Sequence, residues 1–462
     1  MMGFGAPGMG AVLAAVVMSG GAMAAPLALP IPSEAPQRIT AGDDVFLRGL
    51  ADRSGTTAFT AQLAAAAQAL PEIGERAQDV AAAQAVRDQA RSRLFPTLGV
   101  DLVASRTIAR DLQLPTTQVE NLAPRRRNDV IGTVEQLVTD FGASSARIRA
   151  GNAGTDAARA TLDASRNTQL LALVDAWYDV LTAQTIAGLV ESHVARMQAL
   201  AEGAAIRFER GVDSGGDVSR ARSYLAAAQS QAVSAARQQR NAEARYLELF
   251  AAAPGPLARP FHGTGQEADA VRPELVAARA QARAAEAALD AARADRLPRL
   301  DARITSAGYD VLRGTTPAYD VRALLTLRQR FSAGGAEAAR VAELSARRQA
   351  AGLAVSRIEA ATGRERSTAE ADVDGLAAAL PPLEAAYLES RRARDLFAEQ
   401  FRVSRGQLFD VLRAERDLLD AALTLARTHY DLDVARFTLL ARQGGLIERF
   451  GLTPAVITED DR

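Results

Sequence analysis

The sequence predicts an internally duplicated α+β protein, made of long helices and of strands typical of water-filled transmembrane β-barrels. Three observations predict this class. The stretch that begins at Pro71 is repeated from Pro273, a second matched pair begins at Arg207 and Gln400, and short alternating segments interrupt the helical ones. The repeating unit spans about two hundred residues, which is too long for a solenoid repeat, so we interpret each copy as one half of the protein.

Each half is predicted to contain a helix, two strands, a long helix and a further helix, in that order. Pro71 and Pro273 suit the first turn of a helix. Pro96 and Pro298 end the same helices, since a proline pushes the preceding residue towards extended geometry. Along the chain, we predict helices at 57–70 and 72–94, strands at 98–105 and 130–138, helices at 143–202 and 217–250, a helix at 274–296, strands at 299–309 and 320–331, and helices at 335–400 and 407–443.

The longest predicted helices limit the architecture. A helix of ~58 residues is ~85 Å long at 1.5 Å per residue, so it must be a coiled-coil strut or the wall of a tube. The Ala-rich composition of these stretches suits close packing between helices. Trp177 and Tyr178 lie in the first long helix. We expect them to pack in the protein core or between helices and not to form a ligand site.

The predicted strands each have one apolar and one polar face. That pattern fits a membrane barrel with a wet lumen, and it also fits an ordinary antiparallel sheet with a solvated face. Four strands cannot close a barrel, so either the chain oligomerises or the strands pack on a soluble core. The residues expected to face the lumen are Asp101, Glu135, Arg303, Arg322, Arg328 and Arg330.

Composition argues against several other functions. The formal net charge is -1 over 462 residues, so there is no global electrostatic attraction for nucleic acid. The chain has no cysteine, which excludes disulfides, thiolate metal sites and an N-terminal lipid anchor on cysteine. Its three histidines stand in unlike contexts, and no phosphate-binding glycine loop or G-x-S-x-G elbow occurs. We therefore predict no enzyme activity, no metal and no cofactor.

The domain boundaries follow from the repeat and from composition. Residues 1–24 contain a short apolar core and a small-x-small cleavage pattern, and they are predicted to be a signal peptide; the alternative is a flexible apolar tail. No other run approaches the ~18 apolar residues of a membrane-spanning helix. The remaining predicted units are a mature N-terminal segment at 25–56, a first structural repeat at 57–252, a linker at 253–270, a second repeat at 271–446 and a C-terminal tail at 447–462.

The doubled order of short motifs carries a resemblance. Leu94-Phe95-Pro96 and Leu297-Pro298 enter the strands, Phe141-Gly142 and Phe331 with Gly334-Gly335 leave them, and Asp217-Val218 and Asp410-Val411 follow the hairpin turns. Over roughly residues 57–446, the chain resembles the TolC-like outer-membrane channel family of efflux and type I secretion systems. Its last helix, from Ala421 to Leu446, is most similar to that of the secretion-type members.

The resemblance implies a homotrimer located in the outer membrane. Twelve strands, four from each chain, would form one β-barrel that continues into a long periplasmic α-helical barrel. Such a protein is a passive duct that contacts outer-membrane lipid, a periplasmic adaptor and an inner-membrane transporter of the ABC or RND type. The alternative is a periplasmic coiled-coil scaffolding protein, for which strands with one lipid-like face have no evident use.

The resemblance also implies a gate at the periplasmic tip. Asp217 and Asp410 occupy equivalent places in the two halves, and Arg220 and Arg413 follow them by three residues. Three copies of Asp410 around an axis would form an acidic ring, although Arg413 stands where a second acidic ring is expected. The alternative is that each Asp lies in a first helical turn and pairs with the Arg one turn on.

Small residues mark two further kinds of site in this interpretation. Those at the hairpin tips, where an adaptor would dock, are Gly211, Gly215, Gly216, Ser404 and Gly406. The residues predicted at the strand–helix junctions are Pro96, Pro298, Gly142 and Gly334. The loops at 109–127 and 310–319 are expected to lie outside the cell, at the opposite end from the hairpin tips.

Overall fold

The computed structural model describes residues 27–33, 36, 39–109, 111, 126–260, 271–312, 318–329, 331, 334–403 and 405–452. The predicted signal peptide, most of the loop at 109–127, Ser404 and Arg330 lie outside these residues. The helices are α1 (Val45–Ala51), α2 (Thr56–Ala69), α3 (Pro71–Ser92), α4 (Ala143–Glu209), α5 (Gly215–Phe250), α6 (Pro273–Ala294), α7 (Ala336–Arg402), α8 (Leu408–Arg442) and α9 (Leu446–Arg449), and the strands are β1 (Thr97–Arg106), β2 (Arg126–Thr139), β3 (Arg299–Tyr309) and β4 (Ala318–Arg328).

The two halves match element by element. Helices α3 and α6 each have 22 residues, and the long helices α4 and α7 each have 67. Helix α5 has 36 residues and its counterpart α8 has 35. The predicted order of helix, strand, strand, long helix and helix is therefore present twice in the structure.

Helix α4 continues beyond its predicted end at residue 202. The helix runs through Gly203, which directly follows the predicted end, to Glu209. A glycine in a helix costs only about 1 kcal/mol relative to alanine. The neighbouring Ala201 and Ala204 are buried, and their packing outweighs this cost. At 1.5 Å per residue, α4 and α7 are each ~100 Å long.

Helix α7 contains two consecutive prolines, Pro381 and Pro382, and continues through them. Neither proline has an N–H group, so the carbonyls of Ala377 and Ala378 lose their usual partners four residues on. Helix α7 is therefore weakened at one point of its length.

The strands form one antiparallel sheet in the order β1-β2-β3-β4. β2 begins earlier than expected, because Arg126 pairs with Arg106 and Arg127 with Ser105. The register places the predicted lumen residues Asp101, Glu135, Arg303, Arg322 and Arg328 on one face. The other face carries Leu98, Val100, Leu102, Val130, Val134, Leu300, Ile304, Val321, Leu325 and Leu327.

The main core lies midway along the helices. Phe59 contacts the rings of Trp177 and Phe437, with centroids 5.2 and 5.4 Å away. Trp177 and Tyr178 are buried there, as predicted. Within the described residues, no helix is both long enough and apolar enough to cross a membrane.

The mature N-terminal segment at 25–56, for which no helix was predicted, includes helix α1. This helix begins because the Asp44 carboxylate accepts a hydrogen bond from the Leu47 N–H at 2.9 Å. Phe46 and Leu50 of this helix are buried in the main core.

Candidate functional site

The candidate site is the end of the molecule where the two helical hairpins turn. A small apolar cluster fills this end and joins helices from both halves. Its buried members are Met197, Ala201, Ala204, Val218, Ala221, Ala228, Leu408 and Leu412. The turns α4–α5 and α7–α8 therefore lie side by side at the end opposite the sheet.

The first turn ends α4 and starts α5 within five residues. Gly211 has a φ of +74°, which residues with a Cβ rarely adopt, and its N–H donates to the Phe208 carbonyl at 2.9 Å. Ser214 then caps α5, since its hydroxyl accepts from the Asp217 N–H at 3.2 Å. Gly215 and Gly216 begin the helix, and an added Cβ at either position would meet only ordinary contacts.

Asp217 completes the cap of α5. Its carboxylate accepts from the Ser214 hydroxyl at 2.7 Å and from the Ser214 N–H at 3.2 Å, which makes a reciprocal capping box. These hydrogen bonds lower the pKa of Asp217, and the nearby Arg220 adds a small effect in the same direction. The structure thus places Asp217 in a role that helix formation alone explains.

Arg220 does not form the ion pair with Asp217 that the alternative interpretation expected. Its guanidinium lies 4.9 Å from the centre of the Phe409 ring, on the other hairpin. Arg207 makes a similar contact, 4.7 Å from the centre of the Phe401 ring. In both cases an arginine of the first half covers a phenylalanine of the second half, an arrangement stabilised by cation–π attraction.

Arg207 also fixes the first turn. Its Nε donates to both carboxylate oxygens of Asp213, at 3.1 and 3.0 Å. Since Arg207 is the last-turn residue of α4 and Asp213 lies in the turn, this pair holds the turn against the helix end. Arg207, Asp213, Phe401 and Phe409 were not singled out from the sequence. The matched segments after Arg207 and Gln400 contain them, but the segments do not reveal which side chains meet.

The second turn is compact. The Arg405 N–H donates to the Gln400 carbonyl at 2.8 Å. A Cβ added at Gly406 would lie 3.1 Å from the Gln400 Cβ and from the Phe401 nitrogen, so a larger residue would push the turn apart. Ser404 lies outside the described residues.

Asp410 lies in the first turn of α8 and is half-buried. Within the described residues, its carboxylate has no hydrogen bond or ion pair. Arg413 is exposed and reaches Asp417 instead, at 3.7 Å between Nε and Oδ2. The two charges that the sequence analysis placed one turn apart are therefore separate, and the Asp410 carboxylate remains available.

The strand–helix junctions lie at the other end of the long helices. Pro96 and Pro298 directly precede β1 and β3, and Gly142 (φ +105°) caps α4. Gly334 (φ +65°) precedes the cap of α7. All four thus lie where a helix and a strand meet.

Two glutamines hold equivalent junctions in the two halves. The Gln136 side-chain amide donates to the Leu94 carbonyl at 3.0 Å, and that of Gln329 donates to the Arg296 carbonyl at 3.2 Å. Leu94 and Arg296 each stand two residues before the strand-entry proline. This duplicated contact joins the end of each helix to a neighbouring strand and was not predicted.

Ion pairs cover the charged face of the sheet. Arg303 pairs with Glu135 at 2.8 Å, and Arg299 pairs with Asp301 at 2.7 Å. At the loop end, Arg127 pairs with Asp129 at 2.7 Å and also covers the Tyr309 ring. Within the described part of the chain, no group of three or more His, Cys, Asp or Glu residues is arranged to hold a metal ion.

Comparisons with known proteins agree on one family. The family model for outer membrane efflux proteins matches residues 63–250. Protein CyaE of Bordetella pertussis is 30% identical over 344 residues, which cover 69% of this chain and 71% of CyaE.

Solved structures share the fold. The Campylobacter jejuni CmeC outer membrane channel has a TM-score of 0.73 at 14% identity, covering 91% of this chain and 95% of CmeC. The outer membrane protein VceC of Vibrio cholerae has a TM-score of 0.71 at 18% identity, covering 84% of this chain and 96% of VceC.

Proposed function

This chain belongs to the outer membrane efflux protein family, and from that premise we propose that three copies form one export duct with a twelve-stranded barrel and a helical tunnel. As a family member, the chain is an outer-membrane channel for efflux or type I secretion. The number of copies, the closed barrel and the partners are part of the proposal.

The observation that supports the barrel most directly is the two-faced sheet. Leu98, Leu102 and Leu325 on its apolar face are 79%, 68% and 67% exposed in the single chain. Such a face suits lipid, whereas the opposite face with its ion pairs suits water. Strands β1 and β4 are the edges of the sheet, and an exposed edge requires a partner strand. Three sheets joined edge to edge would satisfy every edge.

The long helices support the tunnel. In the proposed trimer, α4 and α7 extend ~100 Å from the barrel into the periplasm. The hairpin turns at Gly211, Gly215, Gly216, Ser404 and Gly406 form its entrance, where a periplasmic adaptor docks and passes substrates from an inner-membrane transporter of the ABC or RND type. Asp410 lines this entrance and attracts cations there.

The test separates the two faces of one strand. Leu102 lies on the apolar face and the adjacent Val103 lies on the charged face. Leu102→Asp should abolish heat-resistant trimers in the outer-membrane fraction, because a charge that faces lipid near the membrane centre is unfavourable in each of the three chains. Val103→Asp, the matched control, should leave trimers intact.

The opposite outcome would favour the scaffolding alternative. If the parent protein is recovered as a soluble periplasmic monomer, or if both variants behave alike, the apolar face does not contact lipid. In that case the strands are an ordinary solvated sheet.

A further inference from the structure

Residues near the two ends of the N-terminal described segment contact each other. Leu27 fills the space beside Gly49, where an added Cβ would lie only 2.1 Å from the Leu27 Cδ2. We call residues 27–33 and 39–50 the N-terminal clasp. Leu29, Ile39, Phe46 and Leu50 of the clasp are buried. The clasp is therefore packed against the helices along its length.

The clasp is attached to α7 through five side chains. Tyr387 donates to the Asp44 carboxylate at 3.1 Å and Arg391 pairs with the same carboxylate, while the Phe46 ring lies 4.9 Å from the Tyr387 ring. Further along α7, Arg392 donates to the Ile39 carbonyl at 2.9 Å, Arg394 donates to the Pro30 carbonyl at 2.8 Å, and Asp395 accepts from the Ser33 N–H at 3.1 Å.

The clasp also contacts the first half of the protein. The Leu29 N–H donates to the Ser192 hydroxyl of α4 at 3.0 Å. At its other end, the Leu50 carbonyl accepts a hydrogen bond from Arg259, a linker residue that is itself paired with Asp433 of α8. One short segment thus connects α4, α7, α8 and the linker.

All five α7 contacts lie on one side of the weakened point in that helix. They fall between Tyr387 and Asp395, C-terminal to Pro381 and Pro382. Arg394 is eight residues from the end of α7 at Arg402, so the clasp reaches within ~12 Å of the hairpin tip. The clasp therefore holds only the part of α7 that leads from the prolines to the tip.

Buried charged side chains stabilise the position of α7 against the clasp and α8. Arg394 and Asp395 are fully buried, and Arg394 also donates to both carboxylate oxygens of Glu415 on α8, at 3.3 Å each. Movement of α7 away from α8 would separate Glu415 from Arg394, and movement of α7 away from the clasp would separate the buried Asp44 from Arg391. An uncompensated buried charge is strongly unfavourable. All of these buried charges keep their partners only while the clasp is bound to the helices.

We propose that the N-terminal clasp restrains the tip of the tunnel: the part of α7 below Pro382 swings outward, and the entrance widens, only when the clasp leaves α4 or α7. This inference rests on the proposed function, since it assumes a duct with an entrance at the hairpin turns. It assigns a regulatory role to the N-terminal clasp.

The experiment uses the full-length trimer in planar lipid bilayers. Ser33→Pro removes the N–H that donates to Asp395 and leaves every side chain of α7 unchanged. The open-state population should rise about tenfold or more, since a hydrogen bond to a buried carboxylate contributes more than one between neutral groups. Ile31→Ala, an exposed residue of the same clasp, is the matched control and should conduct like the parent.

A reversible cross-link tests, within one sample, whether the clasp restrains the tip. Because the chain has no other cysteine, Leu29→Cys with Ser192→Cys allows a single defined disulfide between the clasp and α4. In the otherwise unchanged protein, the oxidised disulfide should lower the open-state population, because the clasp can then no longer leave α4, and reduction should raise that population again. Heat-resistant trimers confirm assembly of each variant.

The outcomes are distinct. If the parent conducts but Ser33→Pro does not differ from it, and oxidation of the cross-linked form changes nothing, the clasp has no part in opening. If the parent protein itself forms no conducting trimer, the proposed function is wrong, and the present inference is wrong with it.

Discussion

Arg207 lies 4.7 Å from the centre of the Phe401 ring while its Nε donates to both oxygens of Asp213, so one side chain connects the ends of the two hairpins. Phe401→Leu keeps an apolar residue but removes the ring. We expect this change to weaken the contact by about 0.5–2 kcal/mol and to raise the open fraction of single channels several-fold. Val403→Ala, an exposed residue of the same turn, should have no effect. Equal open fractions for both variants would show that the contact does not hold the tip.

Asp410 is expected to control ion preference at the tip. Asp410→Ala should lower the preference for cations while trimers remain intact, since it removes one carboxylate from each chain. Arg413→Glu should raise that preference, because the new carboxylate adds a second acidic ring and removes the ion pair between Arg413 and Asp417. Reversal potentials in a salt gradient measure both effects. Channels that keep the parent reversal potential in both variants would assign Asp410 to helix initiation alone.

Arg394 is expected to be essential for stability. Arg394→Met would leave Asp395 and Glu415 buried without the cation that pairs with both, at a cost of about 3–5 kcal/mol. Arg76→Ala removes an exposed pair with Asp79 and serves as the control, with an expected loss of at most about 0.5 kcal/mol. Denaturant unfolding of the purified protein compares the two. Similar midpoints for both variants would contradict a structural role for the buried cluster.

His193 and His429 should make the protein less stable in mild acid. Burial lowers the pKa of each imidazole to about 4, and Arg259 adds to the effect at His429. In the unfolded chain both titrate near 6.5, so that state binds more protons between pH 6.5 and pH 4. Stability is therefore complete above pH 6.5 and falls as the pH drops through this window, by up to about 1.4 kcal/mol per pH unit for each histidine.

A single variant checks the contribution of His193. Within the described residues its Nδ1 has no hydrogen-bond partner, so His193→Leu should cost little at pH 7.5 and reduce the loss of stability at pH 5. Unfolding midpoints at the two pH values measure the difference. A parent protein with the same midpoint at pH 5 and pH 7.5 would show that neither histidine is held neutral by burial.

The orientation of the chain can be read by cysteine labelling. Ile108 is fully exposed beyond the loop end of β1, and Val212 is exposed in the α4–α5 turn. A membrane-impermeant maleimide should label Ile108→Cys in intact cells and Val212→Cys only after the outer membrane is permeabilised. The reverse labelling pattern would place the hairpin turns outside the cell.

Sequence patterning predicted the parts of the fold that depend on local repetition. The duplicated segments, the strand-entry prolines and the alternation on β1, β3 and β4 each leave a signal within a few residues, because backbone geometry imposes it. Pro96, Pro298, Gly142 and Gly334 lie between helices and strands for this reason. The five described charges expected on one face of the sheet do share that face.

The parts that depend on long-range contacts were not accessible from the sequence. Arg220 meets Phe409 instead of Asp217, because a neighbouring helix offers a partner that spacing along one helix does not show. Arg413 pairs with Asp417, four residues further along the same helix, instead of Asp410, and spacing alone does not decide between these two carboxylates. The clasp was overlooked for the same reason. Its contacts with α7 join residues more than three hundred positions apart, as in the pair of Asp44 and Tyr387.

The charged face of the sheet has a consequence for what the duct can distinguish. Its described strand residues include five arginines (Arg127, Arg299, Arg303, Arg322 and Arg328) and five carboxylates (Asp101, Asp129, Glu135, Asp301 and Asp320). Opposite charges this close together cancel beyond a Debye length, ~8 Å in physiological salt. In the proposed barrel, the electrostatic potential would therefore be close to zero, and the barrel would favour neither cationic nor anionic cargo. Any sorting by charge must then take place at the tip, before the cargo has entered.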